Sequence, residues 1–167
     1  MELARAGLAW AEHKTLSFRL GVFGKASPCQ RHPFYYMKTD IDIPLSTLTT
    51  LRVGGPARFV HTIQSTDDLI NLFSSSEIQH QPRVVLGEGS NVLADDDGFD
   101  GHVLLMRIQG KTIVREDENE IFIRVGAGES WDSFVEMCVS HGWWGIENLS
   151  GIPVTVGATP IQNVAAY

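Results

Sequence analysis

Two glycine-rich stretches carry the residue types from which an anion or cofactor site is built. The first is Leu86-Gly87-Glu88-Gly89-Ser90-Asn91, directly after a short apolar run. Two glycines one residue apart let a backbone bend tightly and leave no Cβ between it and a ligand. Successive N–H groups in such a turn can point to one side and form a concave anion site, with pyrophosphate as the natural guest. Ser90 and Asn91 add side-chain donors. The spacing is not that of a dinucleotide-binding βαβ unit, because no third glycine follows in place and no helix opens behind the turn. Taken alone, the stretch reads better as an ordinary tight loop between strands.

The second stretch runs from Glu147 to Asn163 and is nearly free of charge, with prolines at Pro153 and Pro160. Its small residues, among them Gly157 and Ala158, let backbone approach a flat ring or a phosphate chain. Thr155 and Thr159 offer hydroxyl donors, and a helix starting here would aim its first N–H groups at the same anion. A buried connection packed for steric reasons is the competing reading.

Other constellations are weaker. Asp95-Asp96-Asp97-Gly98 lacks the alternating ligands and distant glutamate of a calcium loop, so a solvated turn is expected. The six histidines show no HxxxH or HExxH spacing, so no metal site is expected. Cys29 and Cys138 match no ligand spacing either, and two cysteines fit a reducing, cytoplasmic compartment better than a disulfide framework.

The elements that position these stretches alternate from Ala57 onward. The pattern predicts a strand over Ala57–Ile63, then a helix capped by Thr66 with Leu69, Ile70, Leu72 and Phe73 as its buried stripe. Arg83–Leu86 and His102–Ile108 read as strands. Lys111–Arg115 should pair with Glu120–Ala127 across a turn at Glu116–Asn119. Ser130 caps a second helix with Trp131, Phe134, Val135 and Cys138 on one face, and Gly142 ends it. Trp143 and Trp144 are expected to pack at a boundary between lobes. The order implies an α+β or mixed α/β domain.

At 167 residues and 43% hydrophobic, the chain is long enough for one core-forming domain. No run of about 18 apolar residues exists, so no membrane-spanning helix is expected. Residues 1–36 carry five basic and two acidic side chains within a chain of net charge −7. Residues 37–167 are therefore strongly acidic, which repels nucleic acid. A phosphorylated ligand must then be held by backbone N–H groups. Residues 1–36 show no periodicity and are expected to be a disordered or mis-started extension, with the domain proper spanning 37–167.

Five ordered motifs carry a family likeness. LGEGSNVL stands about sixty residues before ENLSGIPVTVGATPIQNVAAY, and both resemble the UDP-N-acetylenolpyruvoylglucosamine reductases of peptidoglycan precursor synthesis. Arg52–Arg58 (RVGGPAR), Gly98–Gly101 (GFDG) and Gly126–Trp131 (GAGESW) match as well, so the resemblance runs from about Leu45 to Tyr167. It implies a non-Rossmann, two-lobed α+β fold of the vanillyl-alcohol-oxidase type, with FAD between the lobes. It assigns cofactor contacts to Gly87, Glu88, Gly89, Ser90, Asn91, Ile152, Pro153, Gly157, Ala158, Thr159 and Asn163. It also implies NADPH as reductant and an enolpyruvyl UDP-sugar as substrate, giving UDP-N-acetylmuramate.

The family's catalytic arginine, proton-donating serine and assisting glutamate lie in later segments. No catalytic residue is therefore assigned here, and the chain is expected to be an inactive amino-terminal part lacking the closing strands of the flavin domain. Val154 and Ala165 stand where the family usually has glycine, and Thr49 where it has asparagine. A β-branched Val154 would be strained if its site needed positive φ. A free-standing flavin or nucleotide module, and an FAD-linked oxidase of the same fold acting on another substrate, are the alternative readings; His61 and His102 lie outside the glycine-rich loop and are not expected to tether the flavin.

Overall fold

In the computed structural model the described residues are 14–16, 37–162 and 164. They form two four-stranded sheets, each with its own core.

One sheet has the order β2-β3-β5-β4, built from β2 (Thr39–Pro44), β3 (Pro56–Ile63), β4 (Arg83–Leu86) and β5 (Phe99–Met106). Strands β3, β5 and β4 run parallel, and β2 is antiparallel to β3. Helices α1 (Thr66–Ser74) and α2 (Ser76–Gln79) lie between β3 and β4 in the chain. Ile63, Leu72, Ile78 and Leu104 form one buried cluster, and Leu45, Ala57, Val60, Leu86 and Val103 another.

The other sheet has the order β6-β7-β1-β8, from β1 (Lys14–Leu16), β6 (Lys111–Glu116), β7 (Glu120–Val125) and β8 (Trp143–Trp144). Helix α3 (Trp131–Ser140) packs on it, burying Trp131, Phe134, Val135 and Cys138 against Leu16, Ile121 and Ile146. Burial pushes the Cys138 thiol up to about 11, so it stays protonated and behaves as a small apolar residue.

The predicted hairpin forms as β6 and β7, and α3 has its predicted cap and buried face. Gly142 follows the helix at φ +72°, the left-handed conformation that closes it. Several expectations need correction. The cap of α1 is Ser65, not Thr66. Only Ser65 stands three residues before Asp68, whose N–H reaches the Ser65 hydroxyl (3.1 Å) while its carboxylate accepts from the Ser65 N–H (2.8 Å). The stripe of α1 is narrower than its spacing suggests. Leu72 is buried, but Ile70 and Phe73 are exposed, with Arg83 lying over the Phe73 ring.

Strand β5 begins and ends earlier than the apolar run suggests, because its partners β3 and β4 set its limits. Beyond Met106 the chain leaves the sheet. The Arg107 N–H donates to Ile63 (2.8 Å), and the Ile108 carbonyl then accepts from Gly128 beside the other sheet (2.7 Å). Strand β2 has no predicted counterpart. Lys14–Leu16 lies within the stretch read as an extension, yet it pairs with both β7 and β8. Trp143 and Trp144 form the edge strand β8, and His141 stacks on Trp143 (4.5 Å).

A polar chain with two buried histidines at its centre crosses the first sheet. Thr39 Oγ1 lies 3.0 Å from His61 Nδ1, His61 Nε2 lies 2.8 Å from His102 Nδ1, and His102 Nε2 lies 2.9 Å from Gln81 Oε1. The Gln81 oxygen can only accept, so His102 Nε2 donates to it. Phe59 stacks on both rings. His102→Leu removes the central link and leaves buried polar atoms facing a methyl group. It should destabilise the fold by at least about 1–3 kcal/mol, read as a lower denaturant midpoint.

Glu129 ties the connection after β5 to the loop before α3. Its carboxylate accepts from the Gly110 N–H and pairs with Lys111. The Lys111 hydrogen bond, and secondly the Gly110 N–H, hold its pKa below the ordinary glutamate value. A carboxylate with a depressed folded pKa stabilises the fold above its unfolded pKa, and that contribution is lost as pH falls through the folded value. Glu129→Gln should therefore melt below the native chain at neutral pH. The gap should close below about pH 4, which thermal melts across that range will show.

Candidate functional site

The turn after β4 and the stretch after α3 meet face to face. Gly87, Glu88, Gly89, Ser90 and Asn91 form one wall of a cleft of about 190 Å³, and Thr155, Gly157, Ala158, Ile161 and Gln162 line it opposite. Val85, Leu86, Val92, Met106, Ala127 and Val154 complete the lining. Chemistry-bearing residues some sixty positions apart in sequence thus share one site between the two sheets.

The turn is shaped by close approach. Gly89 has φ +65°, and a Cβ there would lie 2.2 Å from the Leu48 carbonyl oxygen. At Gly87 a Cβ would lie 2.6 Å from Thr155 Oγ1, so the two walls nearly touch at the floor of the cleft. The carbonyls of the turn are used: Gly87 accepts from Arg107 (2.9 Å) and Gly89 from the Thr50 N–H (3.1 Å). Among the described residues, no hydrogen bond is made by the N–H groups of residues 87–91. Thr155 is 1% exposed, and its hydroxyl likewise has no partner among the described residues. A row of unused donors around a narrow cleft suits a ligand that brings acceptor oxygens.

The predicted site residues divide. Gly87, Glu88, Gly89, Ser90, Asn91, Gly157 and Ala158 line the cleft. Ile152 and Pro153 line an adjacent hollow with Thr50, Glu88, Ser130, Asp132 and Val154. Thr159 is buried and its hydroxyl donates to the Thr155 carbonyl (3.0 Å), so it is not available as a phosphate donor. Asn163 and Ala165 lie outside the described residues. Thr155 bridges Ser130 and residues 156–162 form turns, so no helix N-terminus stands in this stretch among the described residues.

Thr49 is buried and its hydroxyl donates to the Val53 carbonyl (3.2 Å), within the loop that supports Gly89. His61 and His102 do not line the cleft; their rings face each other within the first sheet. In the Asp95–Asp97 run, the Asp95 carboxylate accepts from the Asp97 N–H as in an ordinary turn. Arg107 and Val85 went unnoticed in the sequence. Arg107 sits between an apolar strand and an unremarkable loop, with no spacing signal to the turn it grips.

The concern about Val154 is answered by the backbone. The non-glycine residues with positive φ among those described are Asp42 (54°) and Arg52 (56°), so Val154 is not in a left-handed conformation. Its side chain is 4% exposed and packs with Trp131, Phe134 and Leu16. It fills core volume beside the cleft.

Comparison with known proteins agrees with this architecture. Residues 57–167 match the FAD binding domain family. The chain belongs to that family. It is 45% identical over 126 residues to the UDP-N-acetylenolpyruvoylglucosamine reductase of Thermobifida fusca, covering 75% of this chain and 35% of the relative. The same-named enzyme of Salinispora arenicola is 45% identical over 128 residues, covering 77% of this chain and 35% of the relative. The crystal structure of UDP-N-acetylenolpyruvylglucosamine reductase from Thermus caldophilus superposes with a TM-score of 0.52 at 30% identity, over 74% of this chain and 41% of that one. The chain thus spans about a third of the length of the curated relatives it matches. The α+β, two-lobed flavin fold expected from the motifs is the one observed, and FAD is the cofactor of the family.

The described residues fit such a cofactor. The turn has glycines where a Cβ would collide, and the N–H groups and Thr155 hydroxyl are unspent. At about 190 Å³ the cleft is below the roughly 300–1,000 Å³ of sites that enclose a whole drug-sized ligand, so it suits one segment of a dinucleotide. Val154→Gly should lower stability by about 2–4 kcal/mol by emptying core volume and loosening backbone, measured by chemical denaturation.

Proposed function

We propose that this chain provides the flavin cradle of an NADPH-dependent reductase that converts an enolpyruvyl UDP-sugar to UDP-N-acetylmuramate in peptidoglycan precursor synthesis. The observation that carries this reading is the meeting of the glycine turn with the Thr155–Ala158 turn around unused backbone donors. The family match over residues 57–167 and the relatives' names support it.

In this reading the N–H groups of residues 87–91 and the Thr155 hydroxyl hold the pyrophosphate of FAD. Backbone donors do this without desolvating a lysine or arginine, which suits an acidic chain. Val85 and Ile161, respectively 59% and 86% exposed, offer apolar surface at the rim against which a flat ring packs. Bound FAD would supply the hydride transfer between nicotinamide and substrate. The two glycine-bearing walls exclude water from the phosphate groups and fix where the ring lies. Substrate protonation falls to residues outside Leu45–Tyr167, as the family likeness implies, so turnover needs more than the residues described.

Purified chain titrated with FAD should retain flavin through gel filtration, with the visible flavin band perturbed. Its melting temperature should rise with FAD concentration as binding linkage requires. Given NADPH and the enolpyruvyl UDP-sugar, the chain alone should show no loss of nicotinamide absorbance. Absence of flavin binding would overturn the cradle, and clear turnover would overturn the assignment of proton donation to other residues.

A further inference from the structure

Arg107 occupies the hinge point between the two sheets. Its N–H donates to Ile63 at the end of β3 (2.8 Å). Its guanidinium Nη1 donates to the Gly87 carbonyl (2.9 Å) and to Met106 (2.8 Å). Its Cα lies where a Cβ on Gly128 would approach to 2.6 Å, so its backbone is pressed against the loop leading into α3. The side chain is half-buried.

The bond to Gly87 has a geometric consequence. A trans peptide is planar, and its C=O and N–H point in opposite directions. Holding the Gly87 carbonyl toward Arg107 therefore turns the Glu88 N–H the other way. The next alternate peptide is held likewise, since the Gly89 carbonyl accepts from Thr50 and the Ser90 N–H must point away from it. Glu88 and Ser90 both line the cleft. Two donors of the turn are thus set by bonds to the carbonyls of their own peptides, one of them from a cation.

We infer that Arg107 is a positioning residue for diphosphate recognition: it fixes the Gly87–Glu88 peptide so that the Glu88 N–H faces the ligand. This rests on the proposed cradle for FAD. A charge-assisted bond to a carbonyl resists rotation of that peptide more strongly than a neutral one. Without it the glycine-flanked peptide is free to rotate and the donor is no longer preorganised.

The test uses the full chain with FAD and with ADP, which carries the diphosphate without the flavin. Arg107→Ala should weaken both by at least about tenfold, the loss expected for a hydrogen bond to a charged group. Arg107→Lys, whose ammonium can still donate to the carbonyl, should recover most of the affinity. In ¹⁵N–¹H spectra of the native chain, ADP should shift the Glu88 amide resonance, and Arg107→Lys should keep that shift. Should Arg107→Ala fail to fold, the Glu88 shift in the native chain and in Arg107→Lys decides. Native affinity in the alanine variant, or no Glu88 shift on ADP binding, overturns the inference and leaves the cradle standing. Failure of the native chain to bind FAD or ADP overturns both.

Discussion

The two sheets approach each other more closely than a methyl group permits, and the site follows from that contact. A Cβ at Gly87 would meet Thr155, one at Gly128 would meet the Arg107 Cα, and one at Gly157 would meet Ala127. The first two pairs join residues on opposite sides of the seam, and the third packs together two segments of the second-sheet side. Close packing tolerates little added volume, so these positions hold the walls of the cleft at a fixed separation. A narrow gap with backbone on both sides presents main-chain donors at a density that side chains could not reach. It also explains how an acidic chain can offer an anion site without a basic surface.

Hydrogen bonding then gives the seam its direction. Two carbonyls of the glycine turn are bonded, Gly87 by Arg107 and Gly89 by the Thr50 N–H, and the N–H group of each of those planar peptides points the opposite way. The histidine chain from Thr39 to Gln81 runs across β2, β3 and β5 and ends just before β4, the strand that delivers the turn. Polar groups buried there are satisfied only in one arrangement, so they specify strand register as well as adding stability. The crossover at residues 107–110 closes the path, bonding backward to Ile63 and forward to Gly126 and Gly128.

Much of this could be read before any coordinates, and the limits have physical causes. Helix α3 was legible because its apolar period, cap and terminating glycine all agree, and the β6–β7 hairpin because a polar turn separates two alternating runs. Strand β2 was not legible: Thr39–Pro44 mixes charges and a proline with apolar residues, and it is held by pairing with β3 rather than by its own pattern. The same holds for Lys14–Leu16, three residues whose order comes from β7 and β8. The glycine turn was visible as a type of chemistry, but Arg107 was not, since a side-chain bond to a carbonyl twenty residues away leaves no mark in spacing.

Val154 shows how a departure from a family pattern is to be judged. A glycine can stand at a position for three different reasons: positive φ, steric closeness to a neighbour, or closeness to a ligand. The first two would strain a β-branched residue in the free protein, and the backbone at Val154 is not of the first kind. The second fails as well, because the isopropyl group packs in the core with Trp131 and Phe134. The third concerns the cleft and the hollow beside it, both of which Val154 lines. What the substitution changes is therefore the shape of the partition between two neighbouring spaces. Gly87 and Gly89 differ from it in kind, because backbone and Thr155 already occupy the space where their side chains would go. A substitution at those two positions would act on the fold before it acted on any ligand, whereas Val154 is accommodated in the core and also shapes the space beside it.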